Sequence, residues 1–250
     1  MIRFAALRKQ YGALVAVDDL TLDIEPGAVF GFLGRNGAGK TTTIRMMMGL
    51  LAPTAGTVLL GGHDIRHAPE AAKALTGYLP DHPFLYDKLT GAEFLRFAAG
   101  LHGLNRAEGG RRAADLLVRF GLARQAGELI ETFSHGMKQR LALATALIHR
   151  PRILVLDEPM VALDPQGARE LRALLTTLAA DGVTIFLSTH SLAVAEELCT
   201  RIGIVDRGRL VALGTLTELR ARAAATDGAA SLEAVFLDIL DAEAAGVASR

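Results

Sequence analysis

The chain has 250 residues, and its 27 Lys plus Arg are balanced by 27 Asp plus Glu, so no net field draws it to nucleic acid or anionic lipid. Apolar residues make up 50% and charged ones 22%, the composition of a globular chain that can bury a sizeable core. The single Cys199 excludes an intrachain disulfide framework, fits a reducing compartment and reads as a small apolar residue in a helix.

The N-terminal MIRFAALRKQYGA lacks the long apolar segment of a signal peptide. No run of about 18 uninterrupted apolar residues occurs, and the apolar MMMGLLAPTAGTVLL is broken by Pro53 and by Gly49 and Gly56. A chain in or facing the cytoplasm is expected, with any membrane role depending on a partner chain.

Residues 1–25 alternate apolar and polar positions, with Leu20, Leu22 and Ile24 on one face, which predicts antiparallel strands. Pro26-Gly27 makes a turn, AVFGFL (28–33) is a buried strand, and a helix runs from about Lys40 to Met48. Gly56-TVLLG gives a short strand, closed into a hairpin by Gly61-Gly62. From Thr90 to about His149 the spacing is helical, with Thr90 and Glu93 as a capping box and Gly103 and Gly121 as punctuation. RILVLDEP is the next buried strand, Asp164-Pro165 starts a helix, and VTIFLSTH is a further strand. RIGIVDRGRLVALG forms a hairpin around Arg207-Gly208, and the tail carries two short helical patterns joined by AAATDGAA, a flexible link.

Alternating strands and helices predict a parallel sheet covered by helices. The expected fold is therefore α/β: a core with a mixed parallel sheet, an N-terminal antiparallel β subdomain and an inserted α-helical subdomain at about 87–150.

GRNGAGKTT (34–42) carries the chemistry, because it is the G-x-x-x-x-G-K-[ST] loop between a strand and a helix, and it makes the expected α/β core that of a phosphate-loop (P-loop) NTPase. Its glycines let backbone N–H groups close around phosphate oxygens, and the helix N-terminus adds positive potential. The nucleotide contacts it offers are Gly34, Asn36, Gly37, Ala38, Gly39, Lys40, Thr41 and Thr42. Lys40 reaches the β- and γ-phosphates and Thr41 holds Mg²⁺ through its hydroxyl. In ILVLDEP (153–159), Asp157 emerges at the C-terminal edge of a buried strand, where it can hold Mg²⁺ through water. Glu158 beside it is placed to orient an attacking water. In FSHGMKQRLALATALIHR (133–150), Ser134 is an N-cap, and it crowns the helix N-terminus together with the free Gly136 N–H. That segment is either a capped amphipathic helix or a second anion site.

The order GRNGAGKTT, FSHGMKQ, ILVLDEP, MVALDP, STH resembles the ATPase subunit of ABC (ATP-binding cassette) transporters over residues 1–215, with 216–250 as a helical tail. FSHGM departs from the commonest Leu-Ser-Gly-Gly-Gln signature and resembles the Tyr-Ser-x-Gly-Met form of exporter ATPases for drugs and antibiotics. SLEAVFLDIL (231–240) resembles the tail of the same subgroup. The resemblance implies that Tyr11 stacks on adenine and that Ser134 and Gly136 reach the γ-phosphate bound by an opposite subunit. It further implies that Asp164 links the two nucleotide sites and that His190 contacts the γ-phosphate and holds the water-activating group. Lys40, Glu158 and His190 are then the catalytic set. The partners implied are a second ATPase subunit, arranged head to tail around two ATPs, and separate integral membrane permease subunits. The place implied is the cytoplasmic face of the cell membrane. A soluble ABC-type ATPase acting on ribosomes or DNA is the alternative. It draws no support from the balanced charge or from any long coiled coil, and no nucleic acid partner is expected.

In YLPDHPFLY (78–86) Asp81 stands where the family usually carries a Gln that contacts Mg²⁺ or water. A carboxylate still offers the metal an oxygen but brings negative charge toward the γ-phosphate. Asp81 is therefore expected to be a weak or water-mediated metal contact and His82 a solvated turn residue. Pro83, Phe84, Leu85 and Tyr86 are expected to seat a cytoplasmic helix of the membrane partner, with some of them packing inward.

Overall fold

A computed structural model describes residues 1–160, 163–223 and 232–247. The strands β1 (Ile2–Tyr11) and β2 (Leu14–Ile24) pair antiparallel, with Ile2 opposite Ile24 and Phe4 opposite Leu22, so their apolar positions share one face. β3 (Val29–Leu33) and α1 (Lys40–Met47) follow. β4 (Ala55–Leu60) then pairs with the other side of β1, and β5 (His63–Asp64) folds back on β4. Gly61 and Gly62 between them have φ of 59° and 88°, the doubly positive pair that a two-residue hairpin requires. Among the described residues this gives one sheet in the order β2-β1-β4-β5.

The second sheet is mixed. After α2 (Pro69–Ala74) come β6 (Thr76–Leu79), the helices α3 (Gly91–Leu101), α4 (Arg106–Arg119) and α5 (His135–Leu147), then β7 (Ile153–Asp157). α6 (Pro165–Ala180), β8 (Thr184–Thr189), α7 (Leu192–Leu198) and the β9 (Arg201–Asp206)–β10 (Arg209–Gly214) hairpin complete it. The order is β10-β9-β3-β8-β7-β6, parallel from β9 to β6 with β10 antiparallel at the edge. α8 (Leu216–Ala223) and α9 (Leu232–Val247) follow, and Leu219, Leu232 and Val235 pack on Ile202, Ile204 and Ala212 of the hairpin.

The continuous apolar runs of β3, β7 and β8 reflect burial on both faces. Successive residues of β7 face opposite sides: Ile153 and Val155 join the cluster that includes the antiparallel sheet and α1. Leu154 and Leu156 join the cluster that includes α3 to α6. Phe186 sits at the centre of the first cluster, with ring centroids 5.8 Å from Phe30, 5.2 Å from Phe32 and 6.1 Å from Phe4. Thr90 and Glu93 form the expected capping box on α3, and Asp164 caps α6 with Pro165 at its first position.

The sequence reading did not place α2 and β6. α2 has six residues, too few for a helical period, and TGYL contains a glycine that weakens a strand pattern. The reason for Gly77 is tertiary: a Cβ there would lie 2.2 Å from Ala146 O of α5. α9 is longer than the short pattern expected of the tail, at 16 residues. The AAATDGAA link from residue 224 onward, Ser231, and Val161 and Ala162 of MVALDP lie outside the described residues.

Candidate active site

The parallel register decides which loops meet. Leu33 of β3 pairs with Thr189 of β8, Asp157 of β7 with Ser188, and Leu79 of β6 with Leu156. The phosphate loop, Asp157-Glu158, His190 and the turn through Asp81 therefore leave the sheet at one carboxyl edge, where open α/β sheets hold ligands.

Gly34 is enclosed because a Cβ would lie 2.5 Å from Val205 O, and Gly37 and Gly39 turn with φ of 82° and 100°. α1 starts at Gly39 with no side-chain cap, leaving its first N–H groups for an anion. Lys40 is only 7% exposed. Its ammonium donates to Gly34 O at 2.7 Å and Arg35 O at 3.3 Å and lies 3.8 Å from Glu158 Oε1.

Glu158 has a φ of 50°, the left-handed region that a non-glycine residue rarely adopts. Its N–H donates to Ser188 O at 3.0 Å, which holds the chain in that turn as it leaves β7. The turn brings Glu158 Oε1 within 2.9 Å of His190 Nδ1. The Glu158 carboxylate and the His190 ring are hydrogen-bond partners through Nδ1. One carboxylate oxygen thus meets both Lys40 and His190, while Glu158 Oε2 is buried without a partner.

Asp157 is 2% exposed and its Oδ1 is likewise buried without a partner. Burial holds its carboxyl above the ordinary range; Asp81 and Glu158 push the same way, while Ser188 and Lys40 oppose them. Two orphaned carboxylate oxygens beside a phosphate loop are the donor set of a hard divalent cation, so these residues fit Mg²⁺. Asp81 belongs to this field through its effect on Asp157. Its own carboxylate lies 2.9 Å from Nδ1 of the 93% exposed His82, so the pair is a solvated turn contact.

Ser134, Gly136 and Asp164 meet elsewhere. Ser134 Oγ accepts from Met137 N at 3.3 Å at the start of α5, and Asp164 Oδ1 accepts from Gly167 N at 2.8 Å at the start of α6. The three line one cavity of about 330 Å³ with Arg140, Leu163, Gln166, Gly167 and Glu170, and no phosphate-loop residue lines it. Tyr11 stands apart at the end of β1, half exposed, with Lys9 Nζ 5.0 Å from its ring centroid.

Sequence reasoning missed Ser188, which anchors Glu158 and flanks Asp157, and Arg140 and Glu170, which line the second cavity. A polar residue ending the apolar VTIFL was the available signal for Ser188; none marks the other two. Cys199 closes α7 against Gly31, and burial pushes its thiol up to about 12, which leaves it unreactive.

A strand-loop-helix phosphate cradle with a carboxylate pair on a nearby parallel strand is the arrangement of a P-loop nucleoside triphosphatase. The family profile described as ABC transporter matches residues 17–161. The linearmycin resistance ATP-binding protein LnrL of Bacillus subtilis is 39% identical over 89% of this chain and 71% of its own length. The daunorubicin resistance ATP-binding protein DrrA3 of Streptomyces coeruleorubidus is 41% identical over 85% of this chain and 67% of its own. Among solved structures, an ATP-binding subunit of an ABC transporter superposes with a TM-score of 0.89 at 34% identity, covering 96% of this chain and 99% of that one. A dimeric ATP-binding cassette in a post-hydrolysis state with ADP and phosphate superposes at 0.79 with 25% identity, over 86% and 99%. The chain belongs to the ABC transporter family, as a subunit that binds and hydrolyses ATP.

Proposed function

We propose that two copies of the chain close head to tail around two ATP molecules and power an exporter of antibiotic-like compounds built on separate membrane permease subunits. The observation that carries the closure is the separation of the two anion-binding places: Ser134, Gly136 and Asp164 share a cavity that no residue of Gly34–Thr42 lines. Each ATP then lies between one copy's phosphate loop and the other's Ser134 and Gly136, with Asp164 linking the two sites. Tyr11 stacks on adenine. The resistance relatives and the FSHGM signature support export, and none of the relatives named here favours work on ribosomes or DNA.

In hydrolysis Lys40 leaves the Gly34 and Arg35 carbonyls for β- and γ-phosphate oxygens, which are stronger acceptors for an ammonium. Glu158, released from Lys40, orients a water and takes its proton as the oxygen adds to the γ-phosphorus and the bond to ADP breaks. His190 holds Glu158 through Nδ1 and turns its other ring nitrogen to the γ-phosphate. Thr41 and Asp157 would hold Mg²⁺, with Asp81 as a water-mediated contact. Bound there, the ion would neutralise charge on the β- and γ-oxygens.

Residues 1–215 form the cassette, with the helical insert at about 87–150, and 216–250 are the tail. The permease docks on the insert's outer edge, on the cytoplasmic face of the membrane. Phe84 is 80% exposed and meets Tyr86 edge-on at 5.6 Å, and Tyr86 meets Phe97 at 5.6 Å, while Leu85 packs inward on the core. No described helix is long and apolar enough to cross a membrane.

Glu158→Gln tests the reading. With Mg²⁺ and ATP it is expected to keep nucleotide binding, lose turnover by about 10²–10⁴-fold and elute as a dimer. A variant that hydrolyses at the normal rate, or stays monomeric with ATP bound, overturns it.

A further inference from the structure

The phosphate loop leans on a segment outside its own motif, the turn between β9 and β10. Val205 O closes over Gly34, where a Cβ would lie 2.5 Å away. At the other end of the loop, Gly208 N–H donates to Ala38 O at 3.0 Å, and Gly208 O accepts from Asp18 N at 2.8 Å. Ala16 O is wedged between two glycines: a Cβ on Gly39 would lie 2.4 Å from it and one on Gly208 2.6 Å. Gly208 also has a φ of +80°, so any other L-residue there meets both strain and backbone. The next residue secures the turn, since the Arg209 guanidinium pairs with Asp18, which also accepts from Arg8 Nη1 at 2.9 Å.

These contacts have a directional consequence. The Ala38–Gly39 peptide is planar and trans, so its C=O and N–H point opposite ways. Fixing Ala38 O on Gly208 therefore fixes the Gly39 N–H toward the other side, and that N–H makes no hydrogen bond among the described residues. A preset donor binds an anion without first losing orientational freedom.

We propose that Gly208 is a positioning residue for ATP: its N–H holds the Ala38–Gly39 peptide with the Gly39 N–H presented to phosphate. Asp18 ties the same turn to the strand pair that carries Tyr11. The proposal rests on the assignment of Gly34–Thr42 as the phosphate-binding loop.

The test pairs Gly208→Ala with Gly182→Ala, since Gly182 has a similar φ of +85° but nothing within 4 Å of its notional Cβ. Equilibrium binding of ATP is expected to weaken about tenfold in Gly208→Ala and to stay within about twofold in Gly182→Ala, with the KM for ATP rising more than kcat falls. A purely structural role lowers the melting temperature of both without moving the ATP affinity of the folded protein. Folded Gly208→Ala with unchanged affinity overturns the proposal. Should that variant not fold, hydrogen exchange on the unsubstituted chain decides. ATP is expected to slow exchange of the Gly208 amide about fivefold or more, and no change overturns the proposal. Failure of the unsubstituted chain to bind ATP removes the loop assignment and this proposal with it. Normal binding with an unmoved Gly208→Ala removes the proposal alone.

Discussion

At the phosphate loop Lys40 is buried, Glu158 is mostly covered, and both are already engaged: Lys40 sits on Gly34 O and Arg35 O, and Glu158 bridges Lys40 and His190. At the start of α5 the groups are open. Ser134 is exposed and occupied only with capping, and a Cβ at Gly136 would meet nothing within 4 Å. Buried charges need their geometry fixed in advance, because desolvated groups without partners are costly. An exposed helix end needs no such support and gains its electrostatic value when a second surface covers it and excludes water. In the proposed head-to-tail arrangement, the contrast lets one chain hold a nucleotide by itself while a second copy completes the site.

The sharpest way to break the comparison is Lys40→Ala. It removes a charge-assisted donor worth about 3 kcal/mol, so binding of ATP by the monomer should weaken about a hundredfold, measured by equilibrium binding. Ser134→Arg should do the opposite: nucleotide binding by the monomer stays within about threefold, while ATP-dependent dimerisation of the Glu158→Gln background is lost on size exclusion. Should Ser134→Arg weaken binding by the monomer as much as Lys40→Ala, the two regions are one site and the head-to-tail arrangement falls.

Asp81→Ala should have the smallest effect. Asp81 is among the groups that raise the carboxyl of Asp157, so its removal lets Asp157 ionise at lower pH. The acid limb of Mg²⁺-dependent turnover should then shift downward, and the Mg²⁺ requirement should rise about twofold with the loss of a water-mediated oxygen. A pH profile and Mg²⁺ titration identical to those of the parent remove Asp81 from the site.

Much of this was legible from local pattern. The buried strands around AVFGFL, ILVLD and TIFLS, the Thr90–Glu93 box and the Asp164-Pro165 start announce themselves because each depends on neighbours a few residues away. The phosphate loop was legible for the same reason, since glycines and a lysine at fixed spacing act through one turn of backbone. β6 was not, because its Gly77 answers to Ala146 on a distant helix. The place of Asp81 was readable only from its resemblance to the family, and its coupling to Asp157 only from the fold.

The sequence by itself determined the order of the strands and helices apart from α2 and β6, the phosphate cradle and the identity of the carboxylate pair, all properties of contiguous residues. Only the tertiary structure decided that Glu158 turns through a positive φ to meet both Lys40 and His190. It alone decided that Ser134 shares a cavity with Asp164 and not with the loop, and that Gly208 backs Ala38. The reason is that sheet register and crossovers juxtapose segments far apart in the chain, and no local spacing encodes which loops will share an edge.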